Sequence, residues 1–268
     1  MIRVNGRELV AEHFPDKSLL VHDHIAIKPE GENVISWYFE SNEELVTLIF
    51  FTQHLRSLGI TDLVLEMPYI PNARQDRVKG KADVFTLKYF ANTINWLRYK
   101  KVRVLDPHSY VSEALIDRIE ILYPDTFIEK ITQGLTNLTF FYPDEGAAKR
   151  YGSRYHYPYA FGIKERDWQS GRIKGLDIAG DRDSISGNRI LIIDDICSKG
   201  GTFYHSSAKL KELGADEIYL FVTHCEHSLM DGELIGSGLI KRIYTTNSIF
   251  TMEHDLVEVF DIRNNQEV

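Results

Sequence analysis

The stretch RILIIDDICSKGGTF, residues Arg189–Phe203, decides the fold. Its apolar run, Ile190–Ile193, predicts a strand that is buried on both faces, as in a parallel sheet. Two carboxylates, Asp194 and Asp195, follow where the chain is expected to leave the sheet. A glycine-containing turn comes next, and then a helical pattern that is stopped by Gly214. This order of strand, turn and helix is typical of an α/β domain.

The turn between this strand and this helix predicts an anion site. It consists of Ser198, Lys199, Gly200, Gly201 and Thr202. Backbone N–H groups in such a turn point to one position, and the positive end of the helix favours an anion there. The adjacent carboxylates can accept ribose hydroxyls or hold Mg²⁺, which prefers oxygen ligands. Phosphate and sugar hydroxyls side by side indicate a ribose phosphate. The alternative is an ordinary turn with two solvated acids and a helix cap.

The composition of the 268-residue chain is that of an ordinary globular protein, with 43% hydrophobic and 26% charged residues. This length suffices for one large domain or two modest ones. No stretch reaches the apolar length of a membrane helix, and the N-terminus lacks the apolar region of a signal peptide. The two cysteines, Cys197 and Cys225, indicate no disulfide framework, so we expect a cytoplasmic protein. The net charge of −8 argues against nucleic-acid binding, because phosphate backbones would be repelled.

Strands and helices alternate along most of the chain, which predicts parallel sheets with ligand-binding groups at the carboxyl ends of the strands. The segment HLRSLGITDLVLEMPY (His54–Tyr69) parallels KLKELGADEIYLFVTH (Lys209–His224). Each is the end of a helix, a Leu-Gly pair and an apolar strand, which indicates two similar α/β units. The alternative is that any passage from helix through glycine to strand looks alike. We place the domains at residues 1–135 and 136–268, and we expect a mobile polar loop over Trp168–Asp183.

Further clusters after predicted strands carry a resemblance to a known family. PYIPNARQDR (Pro68–Arg77) resembles the P-Y-x-x-x-A-R-Q-D-R stretch of the ribose-phosphate diphosphokinases, also named PRPP synthetases. The central turn resembles the PRPP-binding signature of the phosphoribosyltransferase superfamily, which also occurs in PRPP synthetases. Shorter matches in the same order are FPD at 14–16, DPH at 106–108, PDEG at 143–146 with KR at 149–150, and KER at 164–166.

The resemblance implies an α/β fold of two phosphoribosyltransferase-like (type I) domains, each with a parallel sheet flanked by helices and with the active site between them. It implies Mg²⁺-dependent transfer of the β,γ-diphosphate of ATP to the anomeric hydroxyl of ribose 5-phosphate, which gives PRPP and AMP. It also implies a homodimer or a higher homo-oligomer, because the family's F-x-D-G-E segment contacts ATP from a neighbouring subunit.

Individual residues take expected roles from the same resemblance. Lys164 and Arg166 are expected to be catalytic. The residues expected to bind ATP are Arg74, Gln75, Asp76, Arg77, Phe14 and Asp16. The residues expected to bind the ribose phosphate are Asp194, Asp195, Ser198, Lys199, Gly200, Gly201 and Thr202. The residues expected to bind the metal ion are His108, Asp144 and Asp106.

Departures from the family pattern leave the acceptor open. The family's phosphate loop reads D-T-x-G-T, whereas here its acid is absent and Lys199 replaces the threonine. A long cation and a lost acid would admit a larger acceptor such as ADP-ribose, which related proteins of NAD⁺ salvage convert to ADP-ribose pyrophosphate. The simpler alternative is that Lys199 binds the ordinary 5′-phosphate. Two other hypotheses are a phosphoribosyltransferase, which consumes PRPP and a base, and an inactive synthetase-associated subunit. His224–His227, HCEH, is a further alternative, as a transition-metal site.

Overall fold

Two sheets organise the chain, and each lies in its own unit. The computed structural model describes residues 1–25, 27–166 and 173–263. Unit 1 comprises residues 1–123 and unit 2 comprises residues 124–268. Both sheets are mainly parallel and alternate with helices along the chain. The predicted α/β fold with parallel sheets flanked by helices is therefore confirmed.

Unit 1 contains a sheet in the order β2-β1-β5-β6-β7-β8, in which β5 to β8 are parallel and β1 and β2 are antiparallel additions. A separate hairpin is formed by β3 and β4. The strands are β1 (Ile2–Val4), β2 (Arg7–Leu9), β3 (Ala11–His13), β4 (Leu19–Val21), β5 (Asn33–Trp37), β6 (Leu63–Glu66), β7 (Lys101–Leu105) and β8 (Ile119–Leu122). The helices are α1 (Glu43–Ser57), α2 (Thr86–Trp96) and α3 (Tyr110–Leu115).

The core of unit 1 follows from the spacing of its apolar residues. Leu48, Phe51 and Leu55 recur on one face of α1 and are buried. Leu63 and Leu65 of β6 are buried on one face of the sheet and Val64 on the other, as expected for a strand covered on both faces. The loops that leave β6 and β7 at their carboxyl ends are therefore attached to a rigid centre.

Unit 2 contains a sheet in the order β11-β10-β9-β12-β13-β14-β15, which is parallel except for β11. Every residue of β9 and of β13 is buried. The strands are β9 (Leu138–Tyr142), β10 (Tyr159–Arg166), β11 (Ile173–Gly180), β12 (Arg189–Cys197), β13 (Ile218–Cys225), β14 (Arg242–Thr246) and β15 (Val257–Phe260). The helices are α4 (Asp125–Thr132), α5 (Glu145–Tyr151), α6 (Gly201–Glu212) and α7 (Glu233–Gly236).

Two expectations about the organisation of the chain need correction. The boundary between the units follows Tyr123 and not residue 135, because α4 packs in unit 2. The ring centroid of Phe127 in α4 lies 5.1 Å from that of Phe260 and 6.4 Å from that of Phe221. The expected loop Trp168–Asp183 contains β11, which pairs antiparallel with β10. Its residues 168–172 lie outside the described part of the chain.

No helix in the described ranges is long and apolar enough to span a bilayer.

Candidate active site

The two predicted ribose-binding carboxylates lie inside β12 and not at its end. The strand continues to Cys197 because it stays hydrogen-bonded to β13, with Asp194 opposite Val222 and Cys197 opposite Cys225. The chain therefore leaves the sheet later than the sequence predicted. Both carboxylates are still close to the carboxyl end of the strand, where α/β proteins bind their ligands.

Asp194 and Asp195 have different surroundings. An oxygen of Asp195 lies 2.9 Å from Nη1 of Arg150 in α5, and their side chains are 4% and 13% exposed. Asp194 forms no ion pair with any described residue. Burial and the nearby carboxylates of Asp195 and Asp144 raise the pKa of Asp194 well above its usual range. A hydroxyl donor or a cation that binds next to Asp194 therefore stabilises its charge more than one that binds next to Asp195.

The turn after β12 has the geometry of an anion site. Gly200 caps α6 with a left-handed backbone (φ 78°), and a Cβ at this position would lie 3.0 Å from the Leu234 side chain. Glycine is therefore required by both the backbone conformation and the space. The first turn of α6 contains no acidic side chain to compete with an anion at the positive helix end. Lys199 and Gly201 are exposed, and Ser198 and Thr202 are partly exposed.

Asp144 begins α5, whose other end carries Arg150. Its carboxylate accepts a hydrogen bond from the Ala147 N–H at 3.1 Å, which is a helix N-cap. Its charge also contributes to the raised pKa of Asp194. The predicted metal ligand of unit 2 is therefore electrostatically coupled to the ribose-binding motif of the same unit.

The predicted ATP-binding loop of unit 1 alternates anchoring and exposed residues. Ile70 and Ala73 are buried and fix the loop, whereas Arg74, Gln75 and Arg77 are exposed. The Gln75 side chain accepts a hydrogen bond from the Thr86 hydroxyl at 2.8 Å. Exposed guanidinium groups on a fixed loop suit the recognition of phosphate or adenine.

Asp76 differs from its neighbours because its carboxylate is bound within the protein. Arg77 donates to both oxygens, from Nε at 2.7 Å and from Nη2 at 2.8 Å. The Ser109 hydroxyl also donates to Asp76 Oδ2 at 2.7 Å. The bonds from Arg77, followed by that from Ser109, outweigh burial and lower the pKa of Asp76 to about 2. Asp76 is therefore charged at neutral pH and already engaged.

The predicted metal ligands of unit 1 follow β7. Asp106 has a left-handed backbone (φ 44°), which aspartate tolerates better than most residues, and its side chain is fully buried. His108 is partly exposed, and its electrostatic interaction with Asp76 is among the causes that lower the pKa of that carboxyl. Within unit 1, the structure thus brings His108 together with the Asp76–Arg77 pair.

Phe14 and Asp16 occupy the turn between β3 and β4. The Phe14 side chain is 49% exposed. Asp16 accepts hydrogen bonds from the backbone N–H and hydroxyl of Ser18, which lower the pKa of its carboxyl. The segment is a well-formed hairpin tip, although the glycine and glutamate of the family pattern are absent.

Lys164 and Arg166 lie at the carboxyl end of β10. Their backbones pair with Leu176 and Ile173 of β11, and the register shifts between Glu165 and Arg166. The predicted catalytic pair therefore belongs to a β-hairpin, whereas residues 167–172 between the two strands lie outside the described part of the chain.

A metal site made of protein ligands alone is absent from the described residues, which contain no cluster of three or more His, Cys, Asp or Glu side chains that could hold an ion. In particular, His224 is buried and hydrogen-bonds Ser248 at 2.8 Å through Nδ1. His227 Nε2 accepts a hydrogen bond from the Thr251 N–H at 3.1 Å. These two histidine nitrogens are thus hydrogen-bonded within the fold, and the described residues give no support to the transition-metal alternative.

Sequence reasoning missed two residues of these sites. Arg150 lies in the KR motif at 149–150, for which the sequence predicts no role, and Ser109 lies outside the recognised motifs. Serine before a helix is a known capping signal, which could have drawn attention to Ser109. The ion pair between Arg150 and Asp195 joins residues of α5 and β12 that are distant in sequence, so no local sequence pattern predicts it.

Comparisons with known proteins extend over most of the chain. The ribose-phosphate pyrophosphokinase of Sulfolobus acidocaldarius is 28% identical over 258 residues, which cover 91% of this chain and 86% of that protein. The enzyme of the same name from Pyrococcus abyssi is 29% identical over 243 residues, which cover 82% of each. The crystal structure of phosphoribosylpyrophosphate synthetase from Mycobacterium smegmatis matches with a TM-score of 0.77 at 18% identity. It covers 96% of this chain and 86% of that one, and it supports the fold. No protein-family model matches the chain.

Proposed function

We propose, since the chain belongs to the ribose-phosphate pyrophosphokinase family, that it transfers the β,γ-diphosphate of ATP to the anomeric hydroxyl of ribose 5-phosphate. The products are PRPP and AMP. The observation that carries the proposal is the pair of carboxylates in β12, followed by the glycine turn and the positive end of α6. This arrangement offers acceptors for two ribose hydroxyls beside an anion site for the 5′-phosphate.

The acceptor is oriented by unit 2. Asp194 and Asp195 accept the ribose hydroxyls, and the backbone N–H groups after Ser198 receive the phosphate. Arg150 holds Asp195, which restricts the rotation of that carboxylate before the sugar binds. A pre-oriented group loses less conformational freedom on binding. Fixing the sugar at both ends aims its anomeric hydroxyl, which is the main requirement of an in-line transfer.

ATP is bound by unit 1 in this proposal. Arg74 and Arg77 are exposed cations on a fixed loop, and Gln75 adds an amide. Lys164 and Arg166 of unit 2 are proposed to stabilise the charge on the moving diphosphoryl group. Such groups act on the barrier more than on substrate affinity.

Mg²⁺ fits the residues that are present. It neutralises charge on the phosphate oxygens of ATP when bound, and it keeps most of its ligands as water or substrate oxygens. We propose His108 as a protein contact for Mg²⁺ in unit 1 and Asp144 as a protein contact for Mg²⁺ in unit 2. The raised pKa of Asp194, which is caused partly by Asp144 and Asp195, marks a concentration of negative charge that a cation relieves. Asp106 has no exposed surface and is not included.

The activity is tested by incubating the protein with ATP, Mg²⁺ and ribose 5-phosphate and identifying the products by mass. We expect AMP and PRPP in equal amounts, and no AMP without the acceptor. Asp194→Asn should raise the KM for the acceptor, because an amide is a weaker acceptor for sugar hydroxyls than a carboxylate. ATP that stays intact with every acceptor would contradict the proposal and favour an inactive subunit. Consumption of PRPP with a base would favour a phosphoribosyltransferase.

ADP-ribose is the second candidate acceptor, which would place the protein in NAD⁺ salvage. The observation that favours it is Lys199, which is exposed on the phosphate turn and forms no ion pair with any described residue. A cation in this position can neutralise the second phosphate of a diphosphate. Ribose 5-phosphate and ADP-ribose should be compared at equal concentration. Turnover of ribose 5-phosphate alone eliminates ADP-ribose, whereas a tenfold preference for ADP-ribose, about 1.4 kcal/mol, would make it the acceptor.

The catalytic roles have their own prediction. Lys164→Ala or Arg166→Ala should lower kcat by orders of magnitude and change the Kd for ATP little, because a group that binds the transition state selectively acts on the barrier. Lys100→Ala is the control, since Lys100 is an exposed cation of unit 1 that pairs with Asp62. A variant with nearly normal kcat would show that its residue is not catalytic.

We also propose a homodimer or a higher homo-oligomer in the cytoplasm. The exposed Phe14 and neighbouring Asp16 would contact ATP of a second subunit. Both cysteines are free and buried, which suits a reducing compartment. Light scattering of the purified protein tests the oligomer, and a monomer that retains full activity would contradict it.

A further inference from the structure

Two loops of unit 1 are joined through one buried carboxylate. Asp76 follows β6, Ser109 follows β7, and their side chains meet at 2.7 Å between Ser109 Oγ and Asp76 Oδ2. Both residues are nearly inaccessible, at 7% and 9% exposure. We propose that Asp76, Ser109 and Arg77, here named the Asp76 clamp, position the groups that bind ATP with its Mg²⁺. The inference rests on the proposed function and assigns Ser109 a role as a positioning residue.

The first arm of the Asp76 clamp fixes Arg77. Its guanidinium group donates two parallel hydrogen bonds to Asp76, at 2.7 and 2.8 Å. This fork geometry sets the plane of the guanidinium group as well as its position. The Arg77 side chain is nevertheless 64% exposed, so its remaining N–H donors face outward. An arginine that is held on one edge and exposed on the other loses little freedom when it binds a phosphate.

The second arm fixes the loop that carries His108. Ser109 caps α3 by accepting the Val111 N–H at 3.1 Å, and the same hydroxyl donates its proton to Asp76. A hydroxyl can accept and donate at once, which a carboxylate cannot. Ser109 therefore connects the position of α3, and of the adjacent His108, to the loop of Arg77. The proposed phosphate contact and the proposed metal contact are held in one arrangement.

The two functions of the Ser109 hydroxyl can be separated by substitution. Glycine replaces a capping serine with little loss of helix stability, whereas alanine costs clearly more. Both substitutions remove the bond to Asp76. Threonine keeps the hydroxyl for both bonds, and the extended backbone of Ser109 (φ −143°, ψ 138°) accommodates a β-branched side chain. If only the helix cap matters, Ser109→Gly should behave nearly as the wild type does and Ser109→Ala should not. If the hydrogen bond to Asp76 matters, both variants should be impaired and Ser109→Thr should not.

The test measures the Kd of a non-hydrolysable ATP analogue with Mg²⁺ by calorimetry on the full chain. We expect Ser109→Gly and Ser109→Ala to raise this Kd equally, by about tenfold, which is close to the lower end of the range for a hydrogen bond to a charged group. Ser109→Thr should restore the Kd of the analogue to within about twofold of the wild-type value. This remaining difference is small beside the 1.4 kcal/mol that a tenfold change represents. The Kd for ribose 5-phosphate, the proposed ligand of unit 2, should not change. Ser57→Ala removes an exposed hydroxyl bond at the end of α1 and is the matched control.

Several results would overturn the inference. If Ser109→Gly binds the analogue as the wild type does and only Ser109→Ala is weakened, Ser109 acts as a helix cap alone. Normal binding by both variants would remove any role of the clamp. If the variants show the expected pattern of Kd values but the wild type forms no AMP, the clamp is supported and the proposed transfer is contradicted. A wild type that does not bind the analogue overturns both.

Discussion

At the scale of single residues, two adjacent aspartates have different partners and therefore different properties. Asp195 is paired with Arg150, whereas the pKa of Asp194 is raised by burial and by neighbouring carboxylates. We interpret Asp195 as the carboxylate that the fold holds in place and Asp194 as the one that responds most to a bound hydroxyl or cation. The sequence motif presents the two residues as equivalent, and the structure distinguishes them.

The Arg150–Asp195 pair predicts a large loss of stability on substitution. Arg150→Met should lower the free energy of unfolding by about 3–5 kcal/mol, because the buried Asp195 carboxylate would lose its ion pair with Arg150. Lys149→Met is the matched control. Lys149 pairs with Glu145 at 2.8 Å, but both side chains are about 70% exposed, so we expect a change below about 0.5 kcal/mol. Urea unfolding of both variants checks this, and equal losses would contradict a special role for Arg150.

Asp76 predicts a pH dependence of stability. Its pKa is lowered from 3.8 to about 2 in the folded protein, so it stabilises the fold above its unfolded pKa. That contribution, on the order of 2 kcal/mol, is lost as the pH falls from about 4 to about 2. The difference in unfolding free energy between the wild type and Asp76→Asn should therefore shrink over this range, since the wild-type group becomes neutral. A difference that is constant from pH 7 to pH 2.5 would refute the assignment.

At the scale of elements, the turn from β12 to α6 contains two consecutive glycines that should differ in their tolerance of substitution by alanine. Gly200 has φ 78°, and an added Cβ would press on the Leu234 side chain at 3.0 Å. Gly200→Ala should cost about 1–2 kcal/mol from the left-handed backbone, and more if Leu234 cannot shift. Gly201 lies in α6, and an added Cβ would meet no atom within 4 Å. Gly201→Ala should thus be neutral or stabilising. Thermal unfolding of the two variants distinguishes them.

Secondary structure was predictable where the sequence of a segment itself indicates its conformation. The run Ile190–Ile193 and the turn before α6 are recognisable from composition and spacing alone. The strand β11 was missed because its sequence, IKGLDIAG, mixes polar residues and glycine, and its partner is the neighbouring strand β10. The cause of this error is tertiary pairing that outweighs local propensity.

The same distinction applies to the sites. Arg74 and Arg77 were recognisable as exposed cations because a motif carries them. The engagement of Asp76 by Ser109 was not predictable, since the two residues are separated by β7 and α2 and meet only in the folded unit. Motifs therefore identified which residues gather at the strand ends, and the structure identified which of them are already bound to one another.

At the scale of the whole molecule, the described residues form one large hydrophobic cluster in each unit. The cluster of unit 1 includes Trp37 and Leu48 and uses residues up to Ile121, whereas that of unit 2 begins at Phe141. Each unit has the size of an ordinary domain and a sheet of its own. The two predicted domains share a helix–glycine–strand passage, which corresponds to α1–β6 and α6–β13.

Separate cores predict that unit 2 folds alone, provided that the fragment begins at the structural boundary. Fragment 124–268 retains α4, whose Phe127 and Ile128 are buried and whose Phe127 ring stacks on Phe260. A fragment that begins at the sequence-predicted boundary, 136–268, lacks this helix. Removal of one buried phenylalanine side chain alone typically costs about 3–5 kcal/mol, which is a large part of the stability of a domain.

We therefore expect fragment 124–268 to unfold cooperatively in urea and to bind ribose 5-phosphate, and fragment 136–268 to be much less stable or unfolded. Fragment 124–268 with Phe127→Ala should fall between the two, because it keeps the helix but loses the stacked ring. The comparison is made by circular dichroism at matched concentrations. If fragment 136–268 were as stable as fragment 124–268, α4 would not belong to the core of unit 2. The boundary deduced from sequence would then be the physically relevant one.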